Sequence, residues 1–413
     1  MQKRFRDGTL ISLIGLFLCY QNCGNSQSSS STVVPATAGP NYTQFLPVNG
    51  SEPYVLPITV GCGYLNEPCV SIRVCSPSSG KCVQVNNVLV DTGSYGLRVF
   101  SSAVSGLSLN QFVDSSGSHL AECQSFKDGS SDWGMVALAN VQLGERTAKN
   151  IPIQVIDSQF ASAPSDCTGV ETDPAHAGYN AILGVGVFLQ DCGLDCTSAA
   201  QANNRIYFNC QAGQSNCGSH SVSVRLEDQV SNPAAFLDSD NNGIAIQLNN
   251  ISSYGETNPT GYLVLGIGTQ ADNTPGSSVQ MYSADSSGNF QTKYSDKVLD
   301  AFIDSGSNGV FYTASPSLPG CSNLIGFYCP SSAQNFFATQ ISSDNANNFS
   351  ISVSVANADD LANTNPSATA FNNLGGPLNG FFDWGMPFFF GRTIYVGFEH
   401  SSSPLGKGTY WAY

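Results

Sequence analysis

Val88-Leu89-Val90-Asp91-Thr92-Gly93-Ser94-Tyr95-Gly96-Leu97 recurs in outline 213 residues later as Ala301-Phe302-Ile303-Asp304-Ser305-Gly306-Ser307-Asn308-Gly309-Val310. Each copy is a short apolar run ending in Asp, followed by a hydroxyl residue, Gly and Ser, with a second Gly two positions on. The triplet Asp-[Thr/Ser]-Gly alone carries little weight in a chain with 41 Gly; the matching flanks supply the specificity. Each copy is followed, 93 and 81 residues after its Asp, by an apolar stretch around a Gly, Ile182-Leu183-Gly184 and Asp383-Trp384-Gly385. A repeat of this kind reads as two copies of one folded unit.

The pattern supports a definite chemistry. If a two-fold brings the turns together, Asp91 and Asp304 face each other around one water, and the hydroxyls of Thr92, Ser305, Ser94 and Ser307 hold the carboxyl groups coplanar. Gly93 and Gly306 suit tight turns that approach each other closely. Two full charges about 3 Å apart, at an effective dielectric of about 20, repel by roughly 5 kcal/mol, or about four pKa units. The pair therefore shares one proton. One carboxylate then acts as base toward the water while its protonated partner polarises a carbonyl, giving hydrolysis through a tetrahedral diol.

The rest of the composition fits such a scaffold. The 413 residues exceed one ordinary core and suggest two sizeable units. Apolar runs are short and rich in Val, Ile, Phe and Tyr, and 20 Pro with 41 Gly imply frequent turns, so the expected class is all-β. Acids outnumber bases 30 to 15, which is no footprint for a phosphate backbone, and nucleic acid is not an expected partner.

Lys3, Arg4 and Arg6 precede an apolar stretch from Leu10 to Tyr20, the pattern of a secretory signal over residues 1–22. A Ser-rich tether over residues 23–45 follows. A lipid anchor at Cys23, which would tie the chain to an outer membrane, and simple export to the envelope or medium both stay open. Fourteen Cys are present; setting aside Cys19 and Cys23 leaves twelve, an even number that favours disulfides in an exported chain. Short spacings suggest local staples: Cys62 with Cys69, Cys75 with Cys82, Cys192 with Cys196, Cys210 with Cys217, and Cys321 with Cys329. Cys123 and Cys167 are left to each other. The four His, at 119, 176, 220 and 400, do not sit at zinc-ligand spacings. Asp238-Ser239-Asp240-Asn241-Asn242-Gly243 matches the start of a Ca²⁺ loop, but Asn249 stands where a bidentate Glu is required, so a polar turn is expected. No metal or cofactor is expected.

With these motifs in place, the sequence resembles the pepsin-like aspartic proteases. The two Asp-containing turns look like that family's catalytic loops. Asn180-Ala181-Ile182-Leu183-Gly184-Val185-Gly186 and Phe382-Asp383-Trp384-Gly385-Met386-Pro387-Phe388 look like the segments that close each lobe's motif. The likeness spans about residue 50 to the end, and is nearest to a bacterial exported family of uncharacterised function. It implies a bilobal all-β fold, with lobes over 46–225 and 226–413 around a central cleft. It also implies a catalytic dyad of Asp91 and Asp304, supported by Thr92, Gly93, Ser94, Ser305, Gly306 and Ser307. The segment Ser125-Phe126-Lys127-Asp128-Gly129-Ser130 resembles the flap tip, giving Phe126, Asp128 and Gly129 as flap residues; the family's usual tyrosine falls on Phe126, which lacks the hydroxyl. The implied partner is a peptide or protein substrate. A monomer is expected because one chain carries both half-sites. Two functions follow: an aspartic endopeptidase, or a surface protein of the same fold that binds a peptide, glycan or protein partner without cleaving it.

Overall fold

The computed structural model describes residues 45–114, 117–198, 205–210 and 217–413. The signal segment, and the tether with Cys23 up to residue 44, lie outside the described residues. Strands dominate; the α-helices are short, Pro174–Ala177 and Ala358–Thr364. The strand Val55–Val60 buries Leu56, Ile58 and Val60 while Pro57 and Thr59 face solvent, the period-two pattern of a half-covered strand. By contrast Ala181–Val185 and Gly243–Leu248 are buried at every position, as strands covered on both faces must be.

Two large sheets carry the chain. A 16-stranded sheet holds the first half and continues into the second, because Val55–Val60 pairs antiparallel with Thr260–Leu265, which pairs with Gly243–Leu248 and through it with Arg392–Gly397. A 7-stranded sheet is drawn entirely from residues 290–384. One large apolar cluster, with residues from Leu46 to Ala412, runs across both. Trp384, Phe388, Phe389 and Phe390, read from the sequence as core, are all buried. Trp384 packs at a tilt against Phe382 and Phe388, with ring centres 4.7 and 4.9 Å away, and its indole Nε1 donates to Thr292 Oγ1 at 2.9 Å.

The sequence repeat becomes a repeated three-strand arrangement. Cys82–Asp91 lies parallel to Ala181–Val185, with Asp91 opposite Gly184, and Tyr95–Phe100 returns antiparallel on the other side of Ala181–Val185. Likewise Lys297–Ile303 lies parallel to Phe381–Trp384, and Val310–Phe311 returns antiparallel against the same strand. In each case the chain leaves one edge of a central strand, turns at the Asp, and comes back on the opposite edge. The turn is thereby pinned from both sides.

Six disulfides form among the described residues: the five closely spaced pairs Cys62–Cys69, Cys75–Cys82, Cys192–Cys196, Cys210–Cys217 and Cys321–Cys329, and the remaining pair Cys123–Cys167. Six bridges belong to an oxidising, exported environment. No helix among the described residues is long and apolar enough to cross a membrane. In the turn Asp238–Gly243, Asp240 is taken by Arg146 Nε at 2.7 Å, Thr269 Oγ1 at 2.6 Å and Gln270 Nε2 at 2.9 Å, a closed set of protein donors.

Candidate active site

The two Asp turns meet. Val88 and Val90 are fully buried and fix the end of their strand, and Ala301 and Ile303 do the same in the second copy. Beyond them four buried hydrogen bonds tie the loops together with two-fold symmetry. The Thr92 amide donates to Ser305 Oγ at 3.1 Å and the Ser305 amide to Thr92 Oγ1 at 2.9 Å. Each hydroxyl then donates onward to the other strand, Thr92 Oγ1 to the Ile303 carbonyl at 2.8 Å and Ser305 Oγ to the Val90 carbonyl at 2.7 Å. Both hydroxyls thus accept and donate once, which only Ser or Thr side chains of this length can do here. Thr92→Val would strand the Ser305 amide and the Ile303 carbonyl in a buried site, and should cost about 2–4 kcal/mol in chemical denaturation. Thr92→Ser, which keeps the hydroxyl, should stay near wild type. Equal stability of the Val and Ser variants would mean that the loops are held together by packing instead.

The grip sets the carboxyl groups against each other. A Cβ at Gly93 would lie 2.5 Å from Asp304 Cγ, and one at Gly306 would lie 2.6 Å from Asp91 Oδ1, so each loop passes too close to the opposing acid for any side chain. Asp91 accepts from the Gly93 amide at 2.8 Å and from Ser94 Oγ at 2.5 Å. Asp304 accepts from the amides of Gly306 at 2.7 Å and Ser307 at 3.2 Å, and its Oδ2 lies 2.9 Å from Ser307 Oγ. Burial, and next the Asp304 charge, push the Asp91 carboxyl well above the ordinary carboxylate range.

The sequence match now has a geometry to go with it. Residues 50–413 fit the profile of a family described as proteins of unknown function, DUF3443. The chain belongs to the DUF3443 family. No curated protein matches it. Because the profile covers both Asp turns, the hairpin at Phe126 and the closing strands, this DUF3443 chain is matched over the whole of the site.

The hairpin expected to form a flap is present, with a division of labour the sequence did not reveal. His119–Ser125 pairs with Ser131–Leu143, and the tip is closed by the Phe126 amide donating to Ser130 O at 2.9 Å and the Gly129 amide to Phe126 O at 3.1 Å. Asp128 shapes the tip, accepting from the Ser130 amide at 2.9 Å and Ser130 Oγ at 2.6 Å. Phe126 packs partly buried on the cluster of Leu89, Phe100, Ile156, Tyr179 and Ile182, all in the first half. Lys127 is the residue that crosses. Its Nζ lies 3.9 Å from the Phe381 ring centre and 4.7 Å from that of Phe302, a cation over two aromatic faces on the strands that lead to Asp383 and Asp304.

Asp383 is the second group the sequence reading did not single out. It is 4% exposed, and its Oδ2 lies 2.6 Å from Ser307 Oγ, on the far side of that hydroxyl from Asp304. A signal for it exists in the repeat: aligning Gly184 with Gly385 places Asp383 where the first copy has Ile182. An acid in the register of a core isoleucine has to be explained by what lies beside it.

Proposed function

We propose that this DUF3443 protein is an exported aspartic endopeptidase with a pepsin-like fold, its lobes spanning residues 46–225 and 226–413 and its cleft floored by Asp91 and Asp304. What supports this above all is the reciprocal Thr92–Ser305 grip, which sets the buried Asp91 carboxyl against the half-buried Asp304 carboxyl, where two full charges repel strongly enough to favour one shared proton. Such a pair has a base and an acid at hand on the same few ångströms. The ionised member takes a proton from a water held between the carboxyls as that water attacks the scissile carbonyl. The neutral member donates to the carbonyl oxygen, and the resulting diol collapses as the leaving nitrogen is protonated. An extended peptide would pair with flanking strands and lie under the hairpin from Phe126 to Trp133. The protein acts outside the cytoplasm as a monomer, either released or held at an outer membrane through Cys23.

Cleavage of a mixed peptide library from pH 3 to 8 tests this directly. Cleavage blocked by a statine-type transition-state mimic is expected, with the mimic raising the melting temperature of the protein. No cleavage at any pH by the folded protein would overturn the reading. A specific observation favours the alternative of binding without hydrolysis: Lys127 rests on Phe302 and Phe381, on the wall a peptide would need, and Phe126 offers no hydroxyl. Under that alternative peptides stabilise the protein equally with or without Asp91 and Asp304.

A further inference from the structure

We infer that Asp383 is a positioning residue, a neutral carboxylic acid whose proton is donated to Ser307 Oγ so that Ser307 in turn donates to Asp304, fixing Asp304 as the ionised member of the pair. The inference rests on the peptidase reading for its consequence but on hydrogen counting for its structure. Ser307 Oγ lies 2.9 Å from Asp304 Oδ2 and 2.6 Å from Asp383 Oδ2. A hydroxyl carries one proton, so it can donate to only one of these oxygens, and the other contact must be supplied by a proton on a carboxyl. Two carboxylates cannot share that hydroxyl.

The surroundings decide which acid is neutral. Asp304 keeps two further donors, the amides of Gly306 and Ser307, which suit a charged oxygen pair. Asp383 has none: its Oδ1 is buried without a hydrogen-bond partner, and the backbone positions beside it in the sheet are Phe302 and Phe311. A bare anionic oxygen there would forfeit its hydration with nothing in return, whereas the carbonyl oxygen of a neutral acid forfeits far less. Burial opposes the ionisation of Asp383 most and the Asp304 carboxylate next; Asp91 also faces it, and Lys127 at the hairpin tip favours the ionised form. Asp91 receives one amide, that of Gly93, and Ser94 Oγ, and it also contacts the Asp304 carboxyl. The chain Asp383, Ser307, Asp304 therefore makes the pair unequal: Asp304 takes the base role and Asp91 the acid role.

The consequence is a difference between two variants of the same residue. Asp383→Asn keeps a donor for Ser307 Oγ, and kcat should remain within about threefold of wild type. Asp383→Val removes the donor; kcat should fall on the order of 30-fold with KM little changed. Asn as damaging as Val, or Val without effect, overturns the inference. A readout independent of turnover separates it from the peptidase reading. The infrared carbonyl band of protonated carboxyl groups, recorded at pH 7, should lose one component in Asp383→Asn and a different one in Asp91→Asn. If the wild type cleaves nothing yet the Asp383 component is present, the peptidase reading fails and the proton on Asp383 stands. If that component is absent, the inference fails whatever the activity.

Discussion

Asn in place of Asp304 should leave a folded protein whose turnover of any library-derived peptide is reduced by at least about 10³-fold. The substitution is close to isosteric. Its Oδ1 can still accept from the amides of Gly306 and Ser307, and the four bonds between Thr92, Ser305, Ile303 and Val90 do not involve it. What it removes is the ionisable partner in contact with Asp91 and, on the proposed mechanism, the base that activates the water. Asp91→Asn should be as inactive because it removes the acid, and the double variant should be no worse than either, since the two act as one unit. Stability moves in the opposite direction. Asp91 is held neutral by burial and by the charge of Asp304, so Asp304→Asn should lower its proton affinity and stabilise the protein at neutral pH relative to wild type, with the difference vanishing near pH 4. Wild-type-like turnover in either single variant, read alongside an unchanged circular dichroism spectrum, would remove the pair from the mechanism.

The parts of this arrangement legible in the sequence share one property: they are local. The Asp turns, the glycines within them and five of the disulfides are each written within about ten residues, and a repeat makes the local signal visible twice. Their pairing across 213 residues followed from the repeat alone. What escaped depends on which strand lies beside which. Arg98 sits in the run Tyr95-Gly96-Leu97-Arg98-Val99-Phe100, where a charge ordinarily marks the wet face of a strand. It is 1% exposed, because Gln154 lies beside it on the neighbouring strand and Glu122, from a third strand, pairs with its guanidinium. Asp383 and Lys127 were hidden for the same reason: their partners, Ser307 and the rings of Phe302 and Phe381, come from other strands. Polar residues buried by tertiary register leave no periodic trace.

That buried polar layer around Arg98 carries the second large effect, a loss of stability as pH rises. Arg98 Nη2 lies 2.7 Å from Glu122 Oε1 and 3.2 Å from Asp191 Oδ2, and Asp132 is buried nearby with neither oxygen hydrogen-bonded. One cation cannot neutralise three buried acids. Burial pushes the Asp132 carboxyl up to about 8, with Arg98 opposing and Glu122, Glu171 and Asp128 adding to the rise; burial, then Glu122, raises Asp191 well above its ordinary value. Such groups hold protons in the folded chain that the unfolded chain has released. Between about pH 4 and pH 8 the folded state therefore binds more protons, and stability falls as pH rises; above pH 8 the Asp132 contribution is spent. A shift of this size is worth on the order of 5 kcal/mol for Asp132 alone. At the other end, Asp240 and Asp359 are lowered despite partial burial, Asp240 by Thr269, Gln270 and Arg146 and Asp359 by the amides of Leu324, Asn323 and Ser322. Their contribution is present above about pH 4 and disappears as pH drops through their folded values. The melting temperature should therefore peak near pH 4 to 5 and decline by on the order of 10 °C toward pH 8. Asp132→Asn should flatten the decline and melt above wild type at pH 8. A wild-type profile that is level from pH 5 to 8, or an Asp132→Asn profile that tracks it, would mean that water or rearrangement relieves the cluster. With the expected profile, the scaffold is most stable at the mildly acid pH where a singly protonated Asp pair can work.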